Sequence, residues 1–157
     1  MGHNHIIQLL EEPFTEENGI SEESVWEDNR FNMKFDYTSG EKVDKERIEA
    51  IRRLKEEIKP FATVNVGKGT ITFRKTEVVK KHFLREINRL TKEIKTKIMD
   101  NKFDSANYIM RNDMVSFGFD GLFYKDFCIP TSTIVSDYMS GWLPKTLYIG
   151  TIIDAHY

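Results

Sequence analysis

The chain reads as an α+β protein: a mostly antiparallel sheet packed on two main helices, at about residues 44–59 and 76–100. Three observations predict this. Two long segments carry apolar residues at helical spacing: Ile48, Ile51, Leu54 and Ile58 in the first, and Val79, Phe83, Ile87, Leu90, Ile94 and Ile98 in the second. Short β-rich runs joined by glycine-containing turns lie on either side of them. Residues 147–153 form an apolar run without alternation, the pattern of a strand buried on both faces.

The elements follow in order. Residues 6–10 are apolar and fit helix or strand. Ser21-Glu22-Glu23 opens a helical turn ending near Trp26. Phe31, Met33, Phe35 and Tyr37 alternate with Arg30, Asn32, Lys34 and Asp36, a half-buried strand closed by Ser39-Gly40. Asp44 suits the N-cap of the first main helix, and Lys59-Pro60 ends it, because the residue before proline avoids helical angles. Residues 62–66 and 70–74 read as strands joined through Gly67-Lys68-Gly69. Thr76 is placed to cap the second main helix, and Phe83, Ile87, Leu90 and Ile94 are expected to be buried by it. A short helix from Asp104 or Ser105 to about Arg111 comes next. Residues 115–119 and 122–127 flank Asp120-Gly121, a strong hairpin signal. Residues 131–135 read as a further strand. Nothing divides the 157 residues, so a single domain is expected, with an acidic N-terminal segment (about 1–29) that is partly extended.

Composition bounds the function. At 39% hydrophobic and 12% aromatic residues the chain is globular in character. No apolar run approaches the ~18 residues of a membrane span, and the start of the chain lacks the basic-then-apolar order of a signal peptide. The single cysteine, Cys128, cannot form an internal disulfide. A cytoplasmic protein without a membrane partner is expected. Charge is segregated. Residues 1–42 hold 10 acids and 3 bases, residues 43–104 hold 17 bases and 10 acids, and residues 105–157 hold 3 bases and 5 acids. Such asymmetry predicts an acidic arm over a basic face, or two surfaces with different partners.

The sharpest candidate site is the outer face of the second main helix. At ~100° per residue, Lys81, Arg85, Arg89, Lys92 and Lys95 lie opposite the apolar stripe and form a cationic ridge. A phosphate backbone or an acidic protein surface is the partner such a ridge attracts. No aromatic interleaves the cations, which argues against base stacking. His3 and His5 are two apart, as are Asp154 and His156. If the chain ends met, these residues would offer imidazole and carboxylate ligands to zinc; spacing alone does not bring them together, and no metal is assigned. His82, beside the stripe, reads as structural. Gly67-Lys68-Gly69 lacks both the upstream glycine and the Ser or Thr after lysine that a phosphate loop needs, so it is hairpin chemistry.

No Gly-x-Ser-x-Gly elbow, His-Glu-x-x-His helix, Cys-x-x-Cys pair or calcium loop is present. No catalytic residue and no cofactor is assigned. The expectation is therefore a non-enzymatic interaction protein, an inhibitor or adaptor that binds a macromolecular partner. The lysine- and isoleucine-rich style of the sequence suits a phage or mobile element. One alternative is a nucleic-acid-binding accessory protein using the basic helix face. A second is a small enzyme whose polar residues meet only in the fold.

Overall fold

The computed structural model describes residues 3–27, 37–40, 44–113 and 122–156, with residues 3–4, 26–27, 37–40, 44, 122, 127–128 and 155–156 described by their backbone. The strands in chain order are β1 (His3–Leu10), β2 (Tyr37–Gly40), β3 (Ala62–Asn65), β4 (Thr70–Phe73), β5 (Leu122–Lys125), β6 (Phe127–Pro130) and β7 (Thr146–His156). The helices are α1 (Glu22–Glu27), α2 (Asp44–Glu57), α3 (Thr76–Met99), α4 (Phe103–Tyr108) and α5 (Thr131–Met139), with a π-helical turn at Ile109–Asp113. Two compact units result: Met1–Phe73 with Gly121–Tyr157, and Arg74–Asp120.

The first unit holds the sheet. Its strands run in the order β3-β4-β7-β1-β5-β6, and β2 also pairs with β7. The β1–β5 pair is parallel and every other described pair is antiparallel. The fold is thus α+β with a mostly antiparallel sheet. β7 has neighbours on both edges, and Leu147, Ile149, Ile152 and Ile153 along it are buried. That is the two-sided burial its unbroken apolar run requires. The same demand makes residues 6–10 a strand: β1 lies between β7 and β5, and Ile6, Ile7 and Leu9 are buried.

The register between β1 and β7 shifts between Ile7 and Leu9. Gln8, buried at that irregularity, lies against Gly150, which has no Cβ to obstruct it. Its Oε1 accepts hydrogen bonds from the backbone amides of Thr151 (2.9 Å) and Ile20 (3.3 Å), and its Nε2 donates to the Asn18 carbonyl (2.8 Å). Ile20 N also donates to Thr151 Oγ1 (3.2 Å). The acidic N-terminal segment is therefore fixed to the sheet at residues 18–20. From there Ile20 and Val25 pack with Ile6, Ile153 and Tyr124.

α2 packs beside β3. Ala50, Ile51, Leu54 and Ile58 are buried, whereas Ile48 is 40% exposed. The β3–β4 hairpin forms as expected: Asn65 pairs with Thr70, Gly69 takes φ of +62°, and Lys68 N donates to Asn65 Oδ1 (3.0 Å). α5 corrects the strand expected at residues 131–135. Pro130 precedes it in an extended conformation (ψ 156°), and a proline there gives up no helical hydrogen bond. Buried Ile134 and Val135, followed by Tyr138, recur at helical spacing, and the Tyr138 ring stacks on Phe73 of β4 at 4.5 Å between centroids. Tertiary burial overrides the β preference of a Thr-, Ile- and Val-rich segment. The 122–127 run is likewise two strands, β5 and β6, with Asp126 between them at φ of +64°. The alternating residues 30–36 and the expected turn at Asp120-Gly121 lie outside the described residues.

The second unit centres on α3. Thr76 is its first residue and Lys75 its N-cap, with no side chain capping the terminus. Of the expected stripe, Val79 and Leu90 are buried, Phe83, Ile87 and Ile94 are half-buried, and Ile98 is 42% exposed. α4 and the π-helical turn pack on α3, contributing buried Ala106 and Ile109.

Candidate functional site

The helical geometry of α3 fixes the candidate face. Lys81, Arg85, Lys92 and Lys95 are all exposed, and Asn88, also exposed, lies in line with them. These five positions recur at i, i+4, i+7, i+11 and i+14, so they form one row about 21 Å long at 1.5 Å per residue. The row continues onto Met99, which is 80% exposed, and Leu84 borders it at 64% exposure.

Arg89 stands apart from the other four cations. Its Nη2 lies 3.0 Å from Glu86 Oε2 and its Nη1 3.4 Å from Glu93 Oε2. The hydrogen bond to Glu86 and that carboxylate's charge hold the Arg89 guanidinium above its ordinary pKa. The ridge expected from sequence as five unopposed cations is therefore four, with Arg89 turned to acids on its flank. The i−3 and i+4 positions of Glu86 and Glu93 were the signal for this. His82 is half-buried, and its ring lies 5.5 Å from that of Phe83. Burial is the main cause lowering its pKa, with Arg85 adding to the effect and Glu86 opposing it.

No protein-family model, curated protein or solved structure matches this chain.

Within the sheet unit, an open cleft of about 730 Å³ lies beside the β3–β4 hairpin. Arg47, Ile48 and Arg52 of α2 line one side, Gly67-Lys68-Gly69 another, and Phe14 and Tyr148 complete it. Arg47 is held there firmly. Its Nη2 donates to the Ile149 carbonyl (2.8 Å), its Nη1 to the Gly150 carbonyl, and its guanidinium lies 4.7 Å from the Phe14 ring centroid. Sequence reasoning missed this cleft, because Phe14, Arg47 and Tyr148 are far apart in the chain and share no spacing. Arg47 ties α2 to β7 through these two carbonyls.

Among the described residues, no group of three or more His, Cys, Asp or Glu side chains is placed to hold a metal ion. No described helix is long and apolar enough to cross a membrane. The side chain of Cys128 lies outside the description.

Proposed function

We propose that this chain is a non-catalytic interaction protein that docks on an acidic protein surface through the outer face of α3. The observation that carries the reading is the row Lys81–Arg85–Asn88–Lys92–Lys95, exposed along its length with no acid within it. Exposed Met99 in line with the row and Leu84 beside it favour a protein partner over a phosphate backbone. Methionine and leucine offer adaptable apolar contact, which a protein surface can bury and a phosphate cannot. Cationic rims speed association and select partners by sign, while apolar contacts supply most of the affinity. The acidic partner class fits an inhibitor or adaptor that acts by covering a surface.

The test is affinity capture from a lysate, with and without nuclease, followed by the double reversal Arg85→Glu/Lys92→Glu. The reading expects captured protein that survives nuclease, and at least a tenfold weaker complex after reversal. Nuclease-sensitive capture would favour the alternative, a nucleic-acid accessory protein. Its affinity would fall with salt at a log–log slope near −0.9 per phosphate contacted on duplex DNA. A reversed protein that keeps every interaction of the wild type sinks both readings.

A further inference from the structure

We infer that the cleft beside the β3–β4 hairpin binds a mononucleotide, a small ligand that joins a phosphate to a planar ring. The site belongs to the sheet unit and does not depend on the role of the α3 face. Charge is the first reason. Arg47 and Arg52 of α2 and Lys68 of the hairpin turn line the cleft, and among the described residues no acid does. Composition does not explain this selection, since α2 carries five acids and five bases. Arg52 and Lys68 are exposed, and neither forms an ion pair among the described residues. An arginine fork and a lysine point charge on facing elements are the pair a phosphate recruits.

Apolar surface is the second reason. Among the described residues of the sheet unit, Phe14, Ile48 and Trp142 are the large apolar side chains left exposed, and two of these three line this cleft. Tyr148, half-buried, adds a second ring. An inorganic anion would leave that surface in water, whereas a planar ring covers it and stacks on aromatic side chains. Preorganisation is the third reason. The volume of about 730 Å³ falls within the ~300–1,000 Å³ of small-molecule pockets. Its walls are already fixed. Arg47 is held by the Ile149 and Gly150 carbonyls beside the Phe14 ring. The turn is tied to β3 by Lys68 N donating to Asn65 Oδ1 (3.0 Å), and to β7 by Ile149 N donating to the Gly69 carbonyl (2.8 Å). A ligand entering here therefore orders little of the protein, and its contacts are not offset by that cost.

The experiment titrates the full chain with the four nucleoside 5′-monophosphates, their nucleosides and inorganic phosphate, read by calorimetry and by amide chemical shifts. At least one monophosphate should bind one-to-one with a Kd below about 1 mM. It should bind at least tenfold tighter than its nucleoside and than inorganic phosphate. Shifts should concentrate at residues 14, 47–52, 66–69 and 148–149. Arg52→Glu and Lys68→Glu should each weaken binding at least tenfold; both side chains are exposed, so the fold should keep its Tm. Phe14→Ala should weaken the nucleotide while leaving inorganic phosphate unchanged. Lys55→Glu, on the same helix but outside this cleft, and Arg85→Glu/Lys92→Glu, in the other unit, should each change binding less than twofold. Equal weakening by Lys55→Glu would mean diffuse attraction to a positive surface, and would overturn the inference. So would shifts centred on α3, phosphate binding as tightly as the nucleotide, or no binding of any of the four up to about 10 mM.

Discussion

Gln8 and Gly150 show how one side chain organises the middle of this sheet. The carboxamide of Gln8 is buried and spends both its ends on backbone groups of residues 18, 20 and 151. That is possible only because position 150 has no side chain: a Cβ there would stand 2.3 Å from Gln8 Oε1. Gly150→Ala must therefore displace a fully engaged amide, and overpacking of this kind costs about 1–3 kcal/mol. Gln8→Ala leaves the Thr151 amide without its acceptor and opens a void, again costing about 1–3 kcal/mol. Because the two changes act through one contact, the double variant should lose less than the sum of the singles by ~0.5 kcal/mol or more. Denaturant melts of the three variants measure the cycle. Strict additivity would show that the close approach is not what makes glycine necessary at position 150.

Elements differ in how clearly the sequence announces them. α2, α3 and the β3–β4 hairpin are legible because their signals are local: helical periodicity, a proline stop, and glycines where a turn needs positive φ. β7 is legible because a long apolar run without alternation has few other uses. α5 is not, since Thr, Ile and Val favour strands, and only burial of Ile134 and Val135 within the sheet unit decides for helix. The candidate face of α3 was legible as a row of cations; the capture of Arg89 by Glu86 and Glu93 depends on rotamers that spacing permits but does not impose. The pairing of His3 with His156 and of His5 with Asp154 shows the reverse. The residue types were visible, and only register brought them together. α3 also yields a test of its packing. Leu90 is buried while its stripe neighbours Ile87 and Ile94 are half-buried, so the helix is anchored at few points. Leu90→Ala should cost about 2–5 kcal/mol. A loss below about 1 kcal/mol in denaturant melts would mean that the site collapses around the smaller side chain.

At the scale of the molecule, apolar burial among the described residues is distributed unevenly between the two compact units. The sheet unit holds the buried runs of β1 and β7, the inner face of α2, and Phe61, Phe73 and Phe123. Between Arg74 and Asp120, the described core consists of Val79, Leu90, Ala106 and Ile109, while Leu84, Ile98, Met99, Phe103, Tyr108 and Met110 are exposed. Burial is the main favourable term in stability, so the local cost of opening should follow this distribution. The helical unit also carries the cationic row, whose like charges repel along one face. Native-state hydrogen exchange should then resolve two levels. Amides of β1 and β7 between residues 6 and 9 and between 147 and 153 should exchange only through global unfolding. Amides of α3 beyond residue 91 should exchange through a smaller opening, and still more readily at low salt, where repulsion along the row is least screened. Charge reversal at Arg85 and Lys92 should remove that salt dependence by breaking the run of like charge. If α3 instead exchanges at the rate of β7 at every salt concentration, the two units unfold as one, and the uneven burial has no consequence for how the molecule opens.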